Sequence, residues 1–318
     1  MGLPKKFTPK TIKALEKKIK DSKLYGESWD CDLSELDISI ITNNMFSRCT
    51  GLTSIVIPDS VTEIGLFAFA GCSDLTSVVI PDSVTVIGNC AFKSCTSLTS
   101  VVIPEGVTRI GYETFHGCSG LTSVVIPDSA TEIEKRAFYG CSSLTSVVIS
   151  EGVTKIEERA FEGCSSLTSV VIPDSVTEIG MYAFRDCTSL TSVLIPKGVT
   201  EIVMFAFRGC TSLTSVVIPE GVTEISDKAF EGCTGLTSVV ITEGVTKIGC
   251  SAFHDCENLK EVTLPVGVKE MDEYVFGDKA LETIYVPAKK ADYYKKRLRT
   301  ELHDKIKELE PVKKAKKK

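Results

Sequence analysis

The sequence feature that most constrains this chain is a segment of 23 residues that repeats, with small changes, along most of its length. One copy runs from Leu75 to Ser97 and reads LTSVVIPDSVTVIGNCAFKSCTS. Its leading leucine recurs at an unbroken spacing, at Leu52, Leu75, Leu98, Leu121, Leu144, Leu167, Leu190, Leu213, Leu236 and Leu259. A fixed period of this length predicts a solenoid, in which each copy forms one coil stacked on the previous coil.

The order of residues within one copy predicts a strand, a turn and a second short extended run. Side chains alternate along a strand, so Val78 and Ile80 share the inward face while Ser77 and Val79 point outward. The proline that follows lacks an N–H group and fits the end of a strand. Farther on, the Ala-Phe pair and a cysteine return to the interior. The sequence therefore predicts coils with an apolar inside and a strand on one side.

A single coil leaves its strand unpaired on both sides, so a stack of such coils needs a cap at each end. We predict an N-terminal helix and degenerate first coil in residues 1–51, closed by Trp29, and the solenoid of ten repeats plus a final strand in 52–287. Helical spacing of Tyr294, Leu298 and Leu302 predicts a capping helix over residues 288–310. The lysine-rich residues 311–318 are predicted to be a disordered basic tail.

The repeated pattern L-T-S-V-V-I-P-x-x-V-T-x-I-G-x-x-A-F-x-G-C resembles the BspA-like class of leucine-rich repeats, and the resemblance covers about Thr42 to Ala288. It implies an α/β-type repeat solenoid, a right-handed superhelix with a parallel β-sheet on its concave face and capped ends. It also implies the role common among family members, which are surface proteins of bacteria and some protists linked to adhesion and partner binding. The family has no catalytic residues to transfer to this chain.

The charge is distributed unevenly along the chain. The net charge is −6, but residues 1–26 carry +6 and residues 288–318 carry +8, which leaves −20 on the segment between them. An acidic solenoid is unsuited to nucleic acid lying along it. The basic ends leave open a contact with an anionic surface, or with the acidic body of another copy.

The composition also bears on location. The first twenty residues lack the apolar core of a secretory signal, and no run of about 18 apolar residues predicts a membrane span. Many free cysteines fit a reducing compartment, so the expected location is the cytoplasm. The family resemblance by itself implies the cell surface.

Ten of the thirteen cysteines form one column of the repeat, from Cys49 to Cys256. Parallel side chains on neighbouring coils hold the Cβ atoms too far apart for a disulfide, which needs about 3.5–4.5 Å. No C-x-x-C pair favours zinc. We therefore predict buried, reduced thiols, and expect Cys90 and Cys250, which lie in variable positions, to be more exposed.

Catalytic chemistry finds no support in the sequence. The three histidines, His116, His254 and His303, lie in distant repeats or outside them. The many serines have no placed base, and the single glycines form no phosphate-binding loop. We predict no enzyme activity, no cofactor and no metal site.

Two sets of residues are candidates for binding a protein partner. The first is an outward apolar column on the strands, which includes Val125, Val148, Val171 and Leu194. Such a column marks an interaction surface or only reflects the stability that β-branched residues give to strands. The second set is Met181, Tyr182, Met204 and Phe205, from adjacent repeats, for which partial burial is the alternative.

These observations favour a non-enzymatic scaffold for protein interaction or adhesion that binds a partner through the solenoid surface. The alternative is a structural, self-associating rod in which basic ends meet acidic bodies. The sequence does not identify the partner.

Overall fold

The computed structural model describes residues 15, 17–21, 28–277 and 279–310, and these residues form a stack of parallel coils. The first strand of each coil lies on one side, which we call the front face. These strands are Trp29–Asp32, Leu52–Val56, Ser77–Val79, Ser100–Val102, Ser123–Val125, Ser146–Val148, Ser169–Val171, Ser192–Leu194, Ser215–Ile218, Ser238–Ile241, Glu261–Thr263, Thr283–Val286 and Ile306–Glu308.

A second, two-residue strand follows each front strand up to Glu261–Thr263 and forms the side face. These strands are Ile40–Ile41, Glu63–Ile64, Val86–Ile87, Arg109–Ile110, Glu132–Ile133, Lys155–Ile156, Glu178–Ile179, Glu201–Ile202, Glu224–Ile225, Lys247–Ile248 and Glu270–Met271. The turns that follow carry the Ala-Phe pair and form the third side, the turn face. The predicted parallel solenoid is therefore confirmed.

All strand pairs are parallel, and between Leu52–Val56 and Glu261–Thr263 the front strands hold the 23-residue register, so equivalent residues of successive coils lie side by side. At the two ends the register shifts by one residue, to 24 after a bulge at Trp29 and to 22 at the last two pairs. Ser146, Val147 and Val148 pair with Ser169, Val170 and Val171. The front strands form an eight-stranded sheet that ends at Ser192–Leu194 and a five-stranded sheet that begins at Ser215–Ile218. The repeated columns of the sequence thus become straight columns on the surface and in the interior.

The interior is dominated by a ladder of phenylalanines from the turn face. From Phe46 to Phe276, each ring stacks on the next with centroids 5.2–5.7 Å apart. All of these rings are fully buried. At the N-terminal end, half-buried Trp29 lies 6.5 Å from the ring of Phe46, as expected of a residue that closes the core.

The cysteine column, Cys49 to Cys256, is buried, as predicted, and the structure shows that its thiols also form hydrogen bonds. From Cys72 to Cys256, each Sγ donates a hydrogen bond of 3.0–3.3 Å to a phenylalanine carbonyl of the previous coil. Burial raises the pKa of Cys118 and Cys164 to about 12. The column therefore links coils through neutral thiols.

The expectation that Cys90 is exposed is wrong, because its side chain is only 3% accessible and lies 3.9 Å from a carboxylate oxygen of Glu113. Burial is the main cause that raises the pKa of this thiol. Cys250, in contrast, is half-buried.

The C-terminal end differs from the predicted single helix over 288–310. The segment forms a five-residue helix, Ala291–Lys295, a 3₁₀ helix, Thr300–Lys305, and the strand Ile306–Glu308. Tyr294, Leu298 and Leu302 are buried as their spacing indicates. The last residues nevertheless pair with Thr283–Val286, because that strand would otherwise leave its backbone groups without partners at the sheet edge.

At the N-terminus, residues 15 and 17–21 are helical, and Leu15 and Ile19 pack against the core. The predicted start at Thr8-Pro9 and the basic tail 311–318 lie outside the described residues.

Candidate interaction surfaces

The outward apolar residues of the front strands form one exposed column, which we call the front column. Their exposed fractions are 55% for Val125, 56% for Val148, 69% for Val171 and 70% for Leu194. The column comprises Val56, Val79, Val102, Val125, Val148, Val171, Leu194, Val217 and Val240, and each member is at least 39% exposed. Strand spacing of about 4.8 Å makes this a stripe roughly 40 Å long.

Two hydroxyl columns run beside the front column. From Thr76 to Thr237, the threonine before each front strand donates its hydroxyl to the threonine carbonyl of the previous coil, as Thr99 does to Thr76 at 3.2 Å and Thr122 to Thr99 at 3.1 Å. The serine column, which includes the exposed Ser146 and Ser169, faces solvent beside the apolar stripe. The front face therefore combines an apolar stripe with polar groups directly next to it.

An exposed row of acids follows the front strands at the next turn, and we call it the acidic row. Its members are Asp59, Asp82, Glu105, Asp128, Glu151, Asp174, Glu220 and Glu243, with Lys197 as the single base in the same position. Among the described residues, none of these carboxylates forms an ion pair, whereas acids on the other two faces do, such as Glu224 with Lys247 at 2.7 Å. Negative charge without partners is thus concentrated beside the front column.

The turn face holds the second candidate set. Tyr182 and Phe205 occupy the position before the buried alanine, where the backbone is left-handed in successive coils, with φ of 61° and 62°. Their rings stack with centroids 4.8 Å apart. Arg159 lies over the ring of Tyr182 at 4.2 Å, and Arg208 lies over the ring of Phe205 at 5.6 Å.

Both rings are therefore half-buried and already contact arginines of the same chain. Met181 is 40% exposed, while Met204 is half-buried. The structure brings the four residues together, on a different side of the coil from the front column. The four residues are thus partly buried and partly exposed to solvent. The role of these residues as a binding anchor stays a prediction.

The turn face also buries three glutamates that sequence reasoning missed. Glu113 is 4% exposed and contacts Lys93 and Arg136. Burial would raise the pKa of Glu113, but hydrogen bonds from Lys93, Tyr112 and Arg136 outweigh it and lower the pKa to about 2. Glu162 and Glu231 are likewise paired with two bases each. Each glutamate has at least one partner from a neighbouring coil, whereas Arg159 and Lys228 lie three residues before their glutamates in the same coil. A comparison of positions three residues apart and one repeat apart is the sequence signal that could have found these pairs.

One cluster has donors that suit a metal ion: Glu231, His254 and Asp255 offer ligand atoms within 4.8 Å of one another. The sequence signal was weak, because Glu231 and His254 merely fill the same slot of adjacent repeats. Glu231 is already paired with Arg208 and Lys228, at 2.5 and 3.1 Å. These bases supply the positive charge that a cation would bring, so the cluster is better explained as an ion-pair network.

Comparison with known families decides what this architecture is. The BspA type leucine rich repeat region matches four overlapping segments of the chain, residues 29–143, 62–191, 108–234 and 177–298. The chain belongs to the BspA-type leucine-rich repeat family. The 23-residue period and the stacked parallel coils agree with this assignment.

Several solved structures are similar to this chain. A leucine-rich repeat protein from Eubacterium ventriosum is 25% identical, with a TM-score of 0.50 over 78% of this chain and 76% of that one. A leucine rich cell surface protein from Faecalibacterium prausnitzii is 31% identical over 74% of this chain and 88% of that one, with a TM-score of 0.38. The pneumococcal vaccine antigen PcpA, 19% identical over 90% of this chain and 68% of that one, has a TM-score of 0.51 and shows the fold alone.

No curated protein sequence matches the chain. Among the described residues, no helix has both the length and the apolar character that crossing a membrane requires. The family is one of repeat scaffolds, so the surfaces described above are where its function must be sought.

Proposed function

We propose that this chain is a non-enzymatic scaffold that binds a protein partner through the front column. The observation that carries the proposal is an apolar stripe that remains exposed along nine successive coils. Soluble proteins rarely leave a contiguous apolar surface of this extent exposed unless it binds something. The core does not need these side chains, because the inward residues of the same strands already fill it.

The neighbouring columns suit the same function. The threonine hydroxyls donate to their own chain, which leaves their oxygen lone pairs to accept hydrogen bonds from a partner. Regular spacing offers an elongated partner many similar contacts, and linked weak contacts give avidity. This supports a long, shallow interface in preference to a single pocket.

The location of the partner also belongs to the proposal. Thirteen free cysteines favour a reducing compartment such as the cytoplasm. The Faecalibacterium relative, however, is described as a cell surface protein, and adhesion would be the corresponding role. Protease treatment of intact cells distinguishes the two, because a surface protein is cleaved and a cytoplasmic one is protected.

Two lysines in the middle of the front column test the proposal. Val148→Lys with Val171→Lys places charge on 56% and 69% exposed positions, so the fold should persist while binding of the partner captured with the wild-type protein is abolished. Leu66→Lys with Val86→Lys is the matched control, since these residues are 39% and 47% exposed but lie outside the front column. Unchanged binding by the folded Val148→Lys, Val171→Lys protein would contradict the proposal.

The turn-face set is a secondary anchor in this account. Changing Tyr182 and Phe205 to Ser should weaken the same binding by about 1–3 kcal/mol if their exposed edges contact the partner. Because arginines cover part of both rings, a smaller effect than that of the front-column lysines is expected.

A self-associating rod is the second candidate, favoured by the unpaired acidic row together with the basic ends of the chain. Light scattering that increases with protein concentration and falls with added salt would support the rod. A protein that stays monomeric at all concentrations would contradict the self-associating rod and favour the interaction scaffold.

A further inference from the structure

Two adjoining grooves follow the ends of the front strands toward the C-terminus. One, of about 730 Å³, is lined by Leu194, Val217 and Pro219. The other, of about 410 Å³, is lined by Val240, Pro265, Pro287 and Leu309. Glu220 and Thr242 line both, so the two form one continuous groove, which we call the C-terminal groove.

The chain leaves the described structure at the end of this groove. Strand Ile306–Glu308 is the last of the front sheet, and its pairing places Glu310 in the position that the acidic row holds in earlier coils. Leu309 and Glu310 themselves line the groove. The next residues in the sequence, 311–318, read PVKKAKKK.

Charge and length both fit this segment to the groove. The segment carries five lysines after an apolar Pro-Val pair. Eight extended residues span at most about 26–29 Å. With strands about 4.8 Å apart, Glu243 and Glu220 lie roughly 14 and 19 Å from Glu310, within reach of those lysines. Neither carboxylate has an ion-pair partner among the described residues, and each is exposed.

Asp174 and Lys197 line the far part of the groove. Lys197, the single base in the acidic row, lies about five strands from Glu310 and Asp174 about six, so Glu243 and Glu220 are the nearest carboxylates of the row.

We propose that the C-terminal groove is a docking site for a basic, extended peptide, and that its resident occupant is residues 311–318 of the same chain. The apolar Pro-Val pair of this segment suits the apolar walls near Pro265 and Pro287, and its lysines suit the carboxylates of Glu243 and Glu220. Docking there covers the part of the front face around Val217 and Val240. This inference stands on the groove and its charges, and does not depend on the proposed partner.

Zero-length carbodiimide crosslinking of the full chain, followed by mass spectrometry, tests the placement. We expect lysines 313–318 to be joined to Glu220 and Glu243 at least five times more often than to Glu105 and Glu151. Those two glutamates have the same position and the same following glycine, but lie roughly 34–43 Å from Glu310, beyond the reach of the segment. Equal crosslinking to all four would overturn the proposal.

Proteolysis of the tail by a lysine-specific protease gives an independent measurement. Glu220→Gln with Glu243→Gln should speed cleavage after Lys313, Lys314, Lys316 and Lys317 about fivefold, while the matched Glu105→Gln with Glu151→Gln leaves the rate unchanged. Identical rates in all three proteins would overturn the docking site. Crosslinking a mixture of ¹⁴N- and ¹⁵N-labelled protein identifies the occupant: products within one chain support the proposal, and products joining two isotopes would show that a second copy fills the groove instead.

Discussion

The interior ladder and the front column are both nearly invariant apolar columns, yet they have opposite environments. The phenylalanines of the ladder are fully buried and stack on both neighbours, whereas the front-column side chains are 39–75% exposed. Repetition alone therefore does not distinguish a residue that builds the fold from one that is available to a partner. Exposure does, and the two columns should respond in opposite ways to the same kinds of change.

The largest expected difference appears at alkaline pH. Burial is the main cause that raises the pKa of eight thiols of the cysteine column, from Cys95 to Cys256, above their ordinary value of 9.0. Below pH 9 the thiols are protonated in both states, so their contribution is fully present there. As the pH rises above 9, the unfolded state loses protons that the folded state retains, and stability falls by about 1.4 kcal/mol per pH unit for each thiol.

Urea unfolding at pH 8, 9 and 10 measures this slope. Tyrosine and lysine also titrate near pH 10, so Cys141→Ala with Cys164→Ala serves to isolate the thiols. For this variant, the fall in the free energy of unfolding per pH unit should be smaller by the contribution of about two thiols. A slope equal to that of the wild-type protein would mean that the thiols of the cysteine column do not govern alkaline stability.

A truncation in each column gives the next largest contrast. Phe161→Ala removes a buried ring that stacks at 5.2 and 5.4 Å on its neighbours, and should reduce the free energy of unfolding by about 3–5 kcal/mol. Val171→Ala, at a position 69% exposed, should cost no more than about 1 kcal/mol. Equal losses in urea denaturation would show that the front column is part of the core.

A smaller effect is expected for a buried charge. Glu113→Gln loses ion pairs with Lys93 and Arg136, whose side chains are 33% and 41% exposed and can turn toward water. We therefore expect a loss of about 1–2 kcal/mol, below the usual 3–5 for breaking a fully buried pair.

The pH dependence of Glu113 has the opposite sign from that of the thiols. Its pKa is lowered from 4.5 to about 2, so its contribution is present above pH 4.5 and is lost as the pH falls toward 2. The Gln variant should lack this part of the acid transition. An acid transition identical to that of the wild-type protein would contradict the assignment.

The sequence predicts the columns well because a repeat places equivalent residues side by side. Inward Val78, outward Val79 and the buried cysteines all follow from alternation and the 23-residue period. The period does not predict structural features that depend on contacts between different positions of the repeat. Glu113 is buried only because bases from the coils before and after it neutralise its charge.

The C-terminal segment shows a second limit of the sequence. Helical spacing correctly indicates that Tyr294 and Leu302 are buried, but the backbone of Thr283–Val286 requires a partner strand. Hydrogen-bonding needs of a sheet edge leave no mark in side-chain periodicity. The exposure of the front column, in contrast, was visible as a pattern, and only its use by a partner remains to be measured.

Carbene footprinting of the unmodified protein, alone and with its captured partner, tests the central claim most directly. We predict that labelling of Val125, Val148, Val171 and Leu194 falls several-fold in the complex, while labelling of Leu66 and Val86 on other faces is unchanged. Protection confined to other faces, with the front column labelled equally in both samples, would contradict the claim that this column is the interaction surface.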